Sequence, residues 1–213
     1  MTRYHLTHPK DGRFAPAFAL YEQSFPIHER RTKQAQQVRL GCPGYHFDLL
    51  MEGEELQGIL LWWEAGPFCY VEHFAIAPQL RGTGIGTRAL EQLREEGRRV
   101  LLEIDPPVDE VSRRRQRFYE KAGFCANPYH HIHPPYRAGF SGHALVVMTN
   151  PGPAAPGEYQ DFARYLDQVV MSDCKPPLEE NQIKGVYVPP MDIMHFLNRR
   201  PTLDGVCSPR WSP

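Results

Sequence analysis

The chain has no surplus of charge of either sign. Its 213 residues carry 24 Lys and Arg against 25 Asp and Glu, a formal net charge of −1. A nucleic-acid or anionic-membrane partner leaves a basic footprint, so neither is expected. The five cysteines, Cys42, Cys69, Cys125, Cys174 and Cys207, are odd in number and never stand as C-x-x-C. That excludes a disulfide framework and a zinc ribbon, fits a reducing compartment, and leaves no metal expected. There is no run of about 18 apolar residues, and the opening MTRYHLTHPKDGRF lacks the apolar core of a secretion signal. A soluble, cytoplasmic protein is the expectation. The P-loop pattern G-x-x-x-x-G-K-[ST] is missing, and so is the dinucleotide pattern G-x-G-x-x-G.

What the chain has instead is an apolar strand that runs into a glycine-rich turn and then a helix. Tyr70 to Ile76 reads as the strand, Gly82, Gly84 and Gly86 alternate with Thr83 and Ile85, and Thr87 to Leu93 is a good helix opening. Glycine lets the backbone turn tightly and present its N–H groups with no Cβ in the way. The first free amides and the positive end of the helix dipole face the same spot, which suits a diphosphate. The spacing is Arg81-x-x-Gly84-x-Gly86. Downstream, Arg99 to Ile104 reads as a second buried strand, followed by a helix from about Asp109 that ends in Phe118-Tyr119-Glu120-Lys121-Ala122-Gly123-Phe124. Gly123 is the residue a helix C-terminus takes in the left-handed conformation.

With these two motifs in this order and at this separation, the sequence resembles the GNAT superfamily of N-acyltransferases over about residues 1–150, with specific motifs only between 70 and 124. The segments Ser24-Phe25-Pro26-x-x-Glu29-Arg30-Arg31 and His133-Pro134-Pro135-Tyr136 resemble a bacterial subgroup of it. The resemblance implies a mixed α/β (α+β) GNAT fold: a twisted, mostly antiparallel central sheet with one parallel strand pair, and helices on both faces.

The pattern along the chain agrees. A short strand at Tyr4–Leu6 precedes a helix from Asp11 to Ser24 and a polar helix from Glu29 to Val38. Three strands follow, 45–51, 56–63 and 68–76, joined by turns at 52–55 and 65–67 as an antiparallel meander. Strand 68–76 and strand 100–104 flank a helix, so they pair in parallel through a right-handed crossover. The last core strand is expected at 144–148. Residues 151–157 read as a Pro- and Gly-rich linker, 158–171 as one docked amphipathic helix, and 172–213 as a proline-rich tail of no assigned role.

The resemblance implies acetyl transfer from acetyl-CoA to an amine by direct attack in a ternary complex. Arg81, Gly82, Thr83, Gly84, Ile85, Gly86 and Thr87 would hold the pyrophosphate, and the backbone of Phe74, Ala75 and Ile76 the pantetheine arm. Tyr119 would protonate the departing thiolate. Glu72 is the expected base, with His73 or water as alternatives. Strict alternation sends Glu72 and His73 to opposite faces, His73 with Ala75 under a helix. On the second helix, Ser112 stands where many members have Asn and Arg115 where many have Ala; Ser112 would bond CoA, and Arg115 would snorkel, pair with a carboxylate or reach ligand. Phe25, Glu29 and Tyr136 are candidate acceptor contacts. His130-His131-x-His133, on an irregular Pro-flanked segment, is poor metal geometry.

The acceptor is expected to be a small-molecule amine, a protein amine being the other option, and a homodimer is compatible with the tail. Two rival classes remain open. One is a non-catalytic acyl-CoA sensor on the same fold, and the other a nucleotide binder, which the missing P-loop Lys and ribose-binding acid argue against.

Overall fold

The computed structural model describes residues 1–95 and 97–174. Strand β1 (Thr2–His5) leads into helix α1 (Phe14–Ser24), which buries Phe14, Phe18 and Tyr21 as their helical spacing predicts. The expected polar helix from Glu29 starts later. A single 3-10 turn at Ile27–Glu29 gives way to extended backbone, and helix α2 (Lys33–Arg39) begins only after Thr32, whose hydroxyl accepts from the Ala35 amide at 3.1 Å. Arg30 and Arg31 are thereby left in the connection, and Arg31 turns inward to 1% exposure.

The meander follows: β2 (Tyr45–Glu52), β3 (Glu55–Ala65) and β4 (Phe68–Ile76), all antiparallel. Gly53 and Gly66 make its turns at φ +58° and +68°. Helix α3 (Ile85–Glu95) crosses over to β5 (Arg99–Ile104), which pairs with β4 in parallel. Helix α4 (Glu110–Lys121) ends at Gly123, φ +85°, as the left-handed stop requires. Two short strands come next, β6 (Cys125–Ala126) and β7 (His131–His133), then β8 (His143–Asn150) and helix α5 (Pro156–Tyr165), which runs on through a π-type turn at Leu166–Val170.

The strands lie in the order β1-β2-β3-β4-β5-β8-β6, with β7 also on β8. Among the described residues only β4 and β5 run parallel, so the mixed α/β architecture is as expected. One face packs under α1 and α5, where Phe162 and Tyr165 meet Phe68, Tyr70 and Trp63. The other packs under α3 and α4 through Leu90, Leu93, Tyr119 and Phe124. The segment 151–171 therefore docks its helix on the sheet, whereas the tail from residue 175 lies outside the described residues. Among the described residues, no helix is long and apolar enough to cross a membrane.

Candidate active site

The parallel pair does not stay paired. Register contacts between β4 and β5 run from Phe68/Arg99 to Val71/Leu102 and stop, while β4 continues to Ile76 and β5 to Ile104. The two strands form a fork. Along it, Phe74, Ala75 and Ile76 keep their bonds to β3 on one side and, among the described residues, have no strand on the other, which leaves backbone there to pair with an extended ligand. Glu72 and Glu103 are the first residues past the branch point.

At the open end of β4, a 3-10 turn at Pro78–Leu80 delivers the glycine loop. Gly82 and Gly84 adopt φ +82° and +84°, and a Cβ at either would meet nothing within 4 Å. Glycine is needed there for backbone conformation, and the space in front of it is open. Among the described residues, the amides of Gly82, Gly84, Ile85, Gly86 and Thr87 donate to no backbone carbonyl. Such a row of free donors at a helix start fits a pyrophosphate. Gly86 serves packing instead. A Cβ would stand 3.2 Å from Phe118 Cζ, so the glycine permits the close approach of α3 and α4. Arg81 Nε donates to the Ile76 carbonyl at 3.3 Å and Thr83 Oγ1 to Leu80 at 2.7 Å, which braces the loop.

Tyr119 projects from α4 into the core below the fork. It is 8% exposed and packs edge-on against Phe118 and Phe124, and its hydroxyl makes no hydrogen bond among the described residues. Burial pushes its hydroxyl up to about 12, against an opposing pull from Arg115, so it stays protonated at neutral pH. The two departures on α4 are used by the protein itself. Ser112 closes a capping box, its amide donating to Asp109 Oδ1 at 2.8 Å and its hydroxyl accepting from the Asp109 amide at 3.1 Å. The Ser112 hydroxyl, expected to face CoA, is engaged here within the helix cap. Arg115 takes the paired alternative, an exposed ion pair with Asp105.

Beside the fork, β4 carries an extra residue. Leu61 pairs with His73 and Trp62 with Val71, so Glu72 is unopposed and forms a β-bulge. The bulge resets the alternation, and Glu72 and His73 leave the same face, not opposite faces. The expectation that they point to opposite faces is corrected for this reason. Around them gather the expected acceptor contacts. His73 Nε2 donates to the Glu29 carbonyl at 2.8 Å, and its ring meets Phe25 at 4.6 Å and Tyr136 at 5.4 Å. Burial lowers His73 to about 4, so it is neutral, and its Nδ1 is a buried atom without a partner among the described residues. The Glu29 carboxylate itself turns toward His28 Nε2 at 3.3 Å.

Glu72 accepts from three donors. Arg31 pairs with Oε1, the Tyr136 hydroxyl donates to it at 3.0 Å, and Trp63 Nε1 donates to Oε2 at 2.8 Å. Burial alone would raise this carboxyl; the Arg31 guanidinium, then His73, outweigh it and hold it below the usual range. Arg31 also bonds the Val170 carbonyl and Asp173, fastening the end of the α5 extension to the site.

Glu103 is a site residue that the motifs do not single out, although a lone acid in the apolar strand RVLLEI is a signal. Its side chain is 5% exposed. The Tyr70 hydroxyl donates to Oε2 at 2.5 Å, His131 Nε2 bonds Oε1, and His133 Nε2 lies 3.7 Å from Oε2. Burial would raise this carboxyl as well, and His133, then His131 and Tyr70, pull it below its ordinary value. The segment His131–His133, expected to be irregular, is a strand whose alternation turns both histidines inward and Ile132 out. One further group of metal-ligating type converges among the described residues, His5, His46 and Asp48, within 4.8 Å. Arg3 Nε at 3.3 Å and Trp62 Nε1 at 2.8 Å already hold Asp48, and the guanidinium opposes a cation there.

Comparison with known proteins agrees with this geometry. The profile described as "Acetyltransferase (GNAT) family" matches residues 14–124. The YjbC protein of Bacillus subtilis (strain 168), which carries a provisional acetyltransferase name, is 29% identical over 103 residues, 47% of this chain and 52% of its own; the match thus spans about half the length of that relative. A solved GNAT-family protein from Bacteroides thetaiotaomicron, also provisionally named an acetyltransferase, superposes with a TM-score of 0.75 at 28% identity, over 80% of this chain and 98% of its own. A Bacillus subtilis acetyltransferase solved in complex with CoA aligns at 14% identity and a TM-score of 0.48, over 69% of this chain and 95% of its own. On the fork, the cradle and the profile match together, the chain belongs to the GNAT acetyltransferase family.

Proposed function

We propose that the protein transfers an acetyl group from acetyl-CoA to a primary amine by direct attack in a ternary complex. The observation that carries this reading is the fork: the β4 edge at Phe74–Ile76, unpaired among the described residues on its β5 side, leads into a loop where the amides of Gly82, Gly84, Ile85, Gly86 and Thr87 are free, and two buried carboxylates stand at its branch point. The pyrophosphate is held by the loop and the helix dipole. Pantetheine pairs with the free edge, which brings backbone N–H groups to the thioester carbonyl; one well-aimed donor there contributes about 3 kcal/mol to the barrier reduction.

Tyr119, protonated and with no other partner among the described residues, gives its proton to the thiolate. The base in this reading is Glu103 and not Glu72. A guanidinium that never deprotonates occupies Glu72, together with two further donors, so Glu72 positions Arg31, Trp63 and Tyr136. Glu103 faces a tyrosine hydroxyl and two imidazoles in place of a guanidinium. His73 Nδ1, a buried acceptor without a donor, is suited to an incoming N–H. The balanced overall charge supports a small-molecule amine over a macromolecular acceptor.

Isothermal titration of the full chain with acetyl-CoA beside ATP and NAD tests this. Selective micromolar binding of acetyl-CoA, followed by CoA release with an amine, is the expected result; equal or absent binding overturns it. The sensor alternative draws on Arg31, which ties Glu72 to Val170 and Asp173 and so links the site to the C-terminal segment. It predicts acetyl-CoA binding with no CoA release for any amine.

A further inference from the structure

We propose that His131 and Tyr159 form the proton exit of this active site, carrying the amine proton from Glu103 to solvent along one hydrogen-bonded chain. The inference rests on the acetyl-transfer reading above and extends it to two residues outside the segment 14–124 that the family profile matches.

Proton accounting creates the need. An ammonium acceptor has three N–H bonds. The amide product keeps one, the thiolate receives one through Tyr119, and the third is released with each turnover. Glu103 takes that proton at the branch of a buried fork, under the Phe162 ring, which lies 5.1 Å from Tyr70 and 5.7 Å from His131. A carboxylate 5% exposed must be emptied before the next cycle.

The chain that empties it is continuous. Glu103 Oε1 bonds His131 Nε2, His131 Nδ1 lies 3.1 Å from the Tyr159 hydroxyl, and that hydroxyl lies 3.3 Å from the His130 carbonyl. Tyr159 stands on α5 and is partly exposed. It is fixed by the Tyr129 ring, stacked at 4.1 Å and 6°, whose own hydroxyl is anchored on the Ala154 carbonyl. In the step, Glu103 O–H passes its proton to Nε2 of His131 in its Nδ1–H tautomer, Nδ1–H passes one to Tyr159, and Tyr159 releases its own to water. The imidazole is left as the Nε2–H tautomer, and its proton moves back to Nδ1 before the next cycle. Only N–H and O–H bonds form and break. The other titratable groups facing this chain are Tyr70 and, behind it, Glu72 from β4, His133 from β7, His143 from β8 beyond His133, and Tyr129. His131 acts through Glu103 and is a positioning residue.

The test has two arms on the full-length chain. In the first, histidine 15N NMR without substrates follows the His131 imidazole against pH. Glu103→Gln and Tyr159→Phe are each expected to shift its titration and tautomer balance; resonances unmoved by both overturn the proposal. In the second, kcat/KM for the amine is measured against pH. His131→Asn is expected to lower it about 10- to 100-fold, to leave KM for acetyl-CoA unchanged, to remove one ionisation from the acidic limb, and to be partly rescued by imidazole. Tyr159→Phe removes one oxygen from a partly exposed ring and serves where His131→Asn fails to fold. An acidic limb unchanged in the foldable variants overturns the relay. Failure of the acetyl-transfer reading is told apart by the wild type releasing no CoA with any amine, which removes the reaction and the relay together.

Discussion

Glu72 and His73 are neighbours in sequence and project from the same face of β4, because the bulge opposite Leu61 and Trp62 inserts Glu72 into the strand. The consequence is a carboxylate and a neutral imidazole side by side under α1, one gripped by Arg31 and the other by the Glu29 carbonyl. Both groups are buried and both are held below their ordinary values, so each loses its contribution to stability as pH falls.

For Glu72 the link runs through Arg31. The folded carboxyl lies below its ordinary value of 4.5, so its contribution to stability is present above that pH and is lost as pH falls through the folded value. Arg31→Met leaves an uncompensated buried carboxylate and is expected to cost about 3–5 kcal/mol. The pH dependence also changes sign, because an unpaired buried carboxyl titrates above 4.5 and stability then falls as pH rises. Arg31→Met combined with Glu72→Gln is expected to recover much of the loss. Urea unfolding of the three proteins at about pH 4 and pH 7 measures this, and equal stability of Arg31→Met and wild type at neutral pH would refute it.

The Tyr119 hydroxyl makes no hydrogen bond among the described residues, so Tyr119→Phe is expected to leave the unfolding midpoint and acetyl-CoA affinity nearly unchanged. Turnover should fall about 100-fold or more, the scale of a positioned acid. Thermal unfolding, titration with acetyl-CoA and a CoA-release assay separate the three quantities. A turnover equal to wild type removes Tyr119 from the mechanism.

The strand, the glycine turn, the helix and the parallel return are legible in the sequence because each rests on local pattern: an apolar run, three alternating glycines, a helical opening. The site is legible only where it coincides with those patterns. A bulge adds one residue without changing any residue type, so alternation alone sends Glu72 and His73 to opposite faces. The start of α2 departs from expectation because Arg31, a strong helix former, is drawn inward by Glu72, a partner far along the chain. Ser112 reads as a ligand contact by its place in the motif, whereas Asp109, three residues before it, claims it for a capping box. The Tyr70–Glu103–His131–Tyr159 line joins four separate segments, and no spacing rule links them.

The glycine loop separates two roles that look alike in sequence. Gly84→Val is expected to abolish acetyl-CoA binding: it fills the open space before the amides and forces a β-branched residue to φ +84°. The fold should survive, since no neighbour lies within 4 Å. Gly86→Val drives a side chain into Phe118 and is expected to lower stability by about 1–3 kcal/mol by forcing α3 from α4. Titration and thermal unfolding of both variants measure the contrast. Retained affinity in a folded Gly84→Val protein would sink the cradle.

His73 supplies the second pH link. Its folded value of about 4 lies below the ordinary 6.5, so between those values the unfolded chain binds the proton and the folded one does not. Stability therefore falls as pH drops from 6.5 toward 4, by about 3 kcal/mol over the full window, and levels off below it. His73→Gln keeps a donor for the Glu29 carbonyl and has nothing to titrate, so its stability should stay flatter across that window. His46 and His143 are also held low by burial and contribute equally to both proteins, so the difference between them isolates His73. Denaturant midpoints at half-unit steps from about pH 4 to pH 7 read it out. Parallel curves for the two proteins would mean that His73 is not held neutral by the site, and its unpartnered Nδ1 would no longer count as an acceptor for the amine.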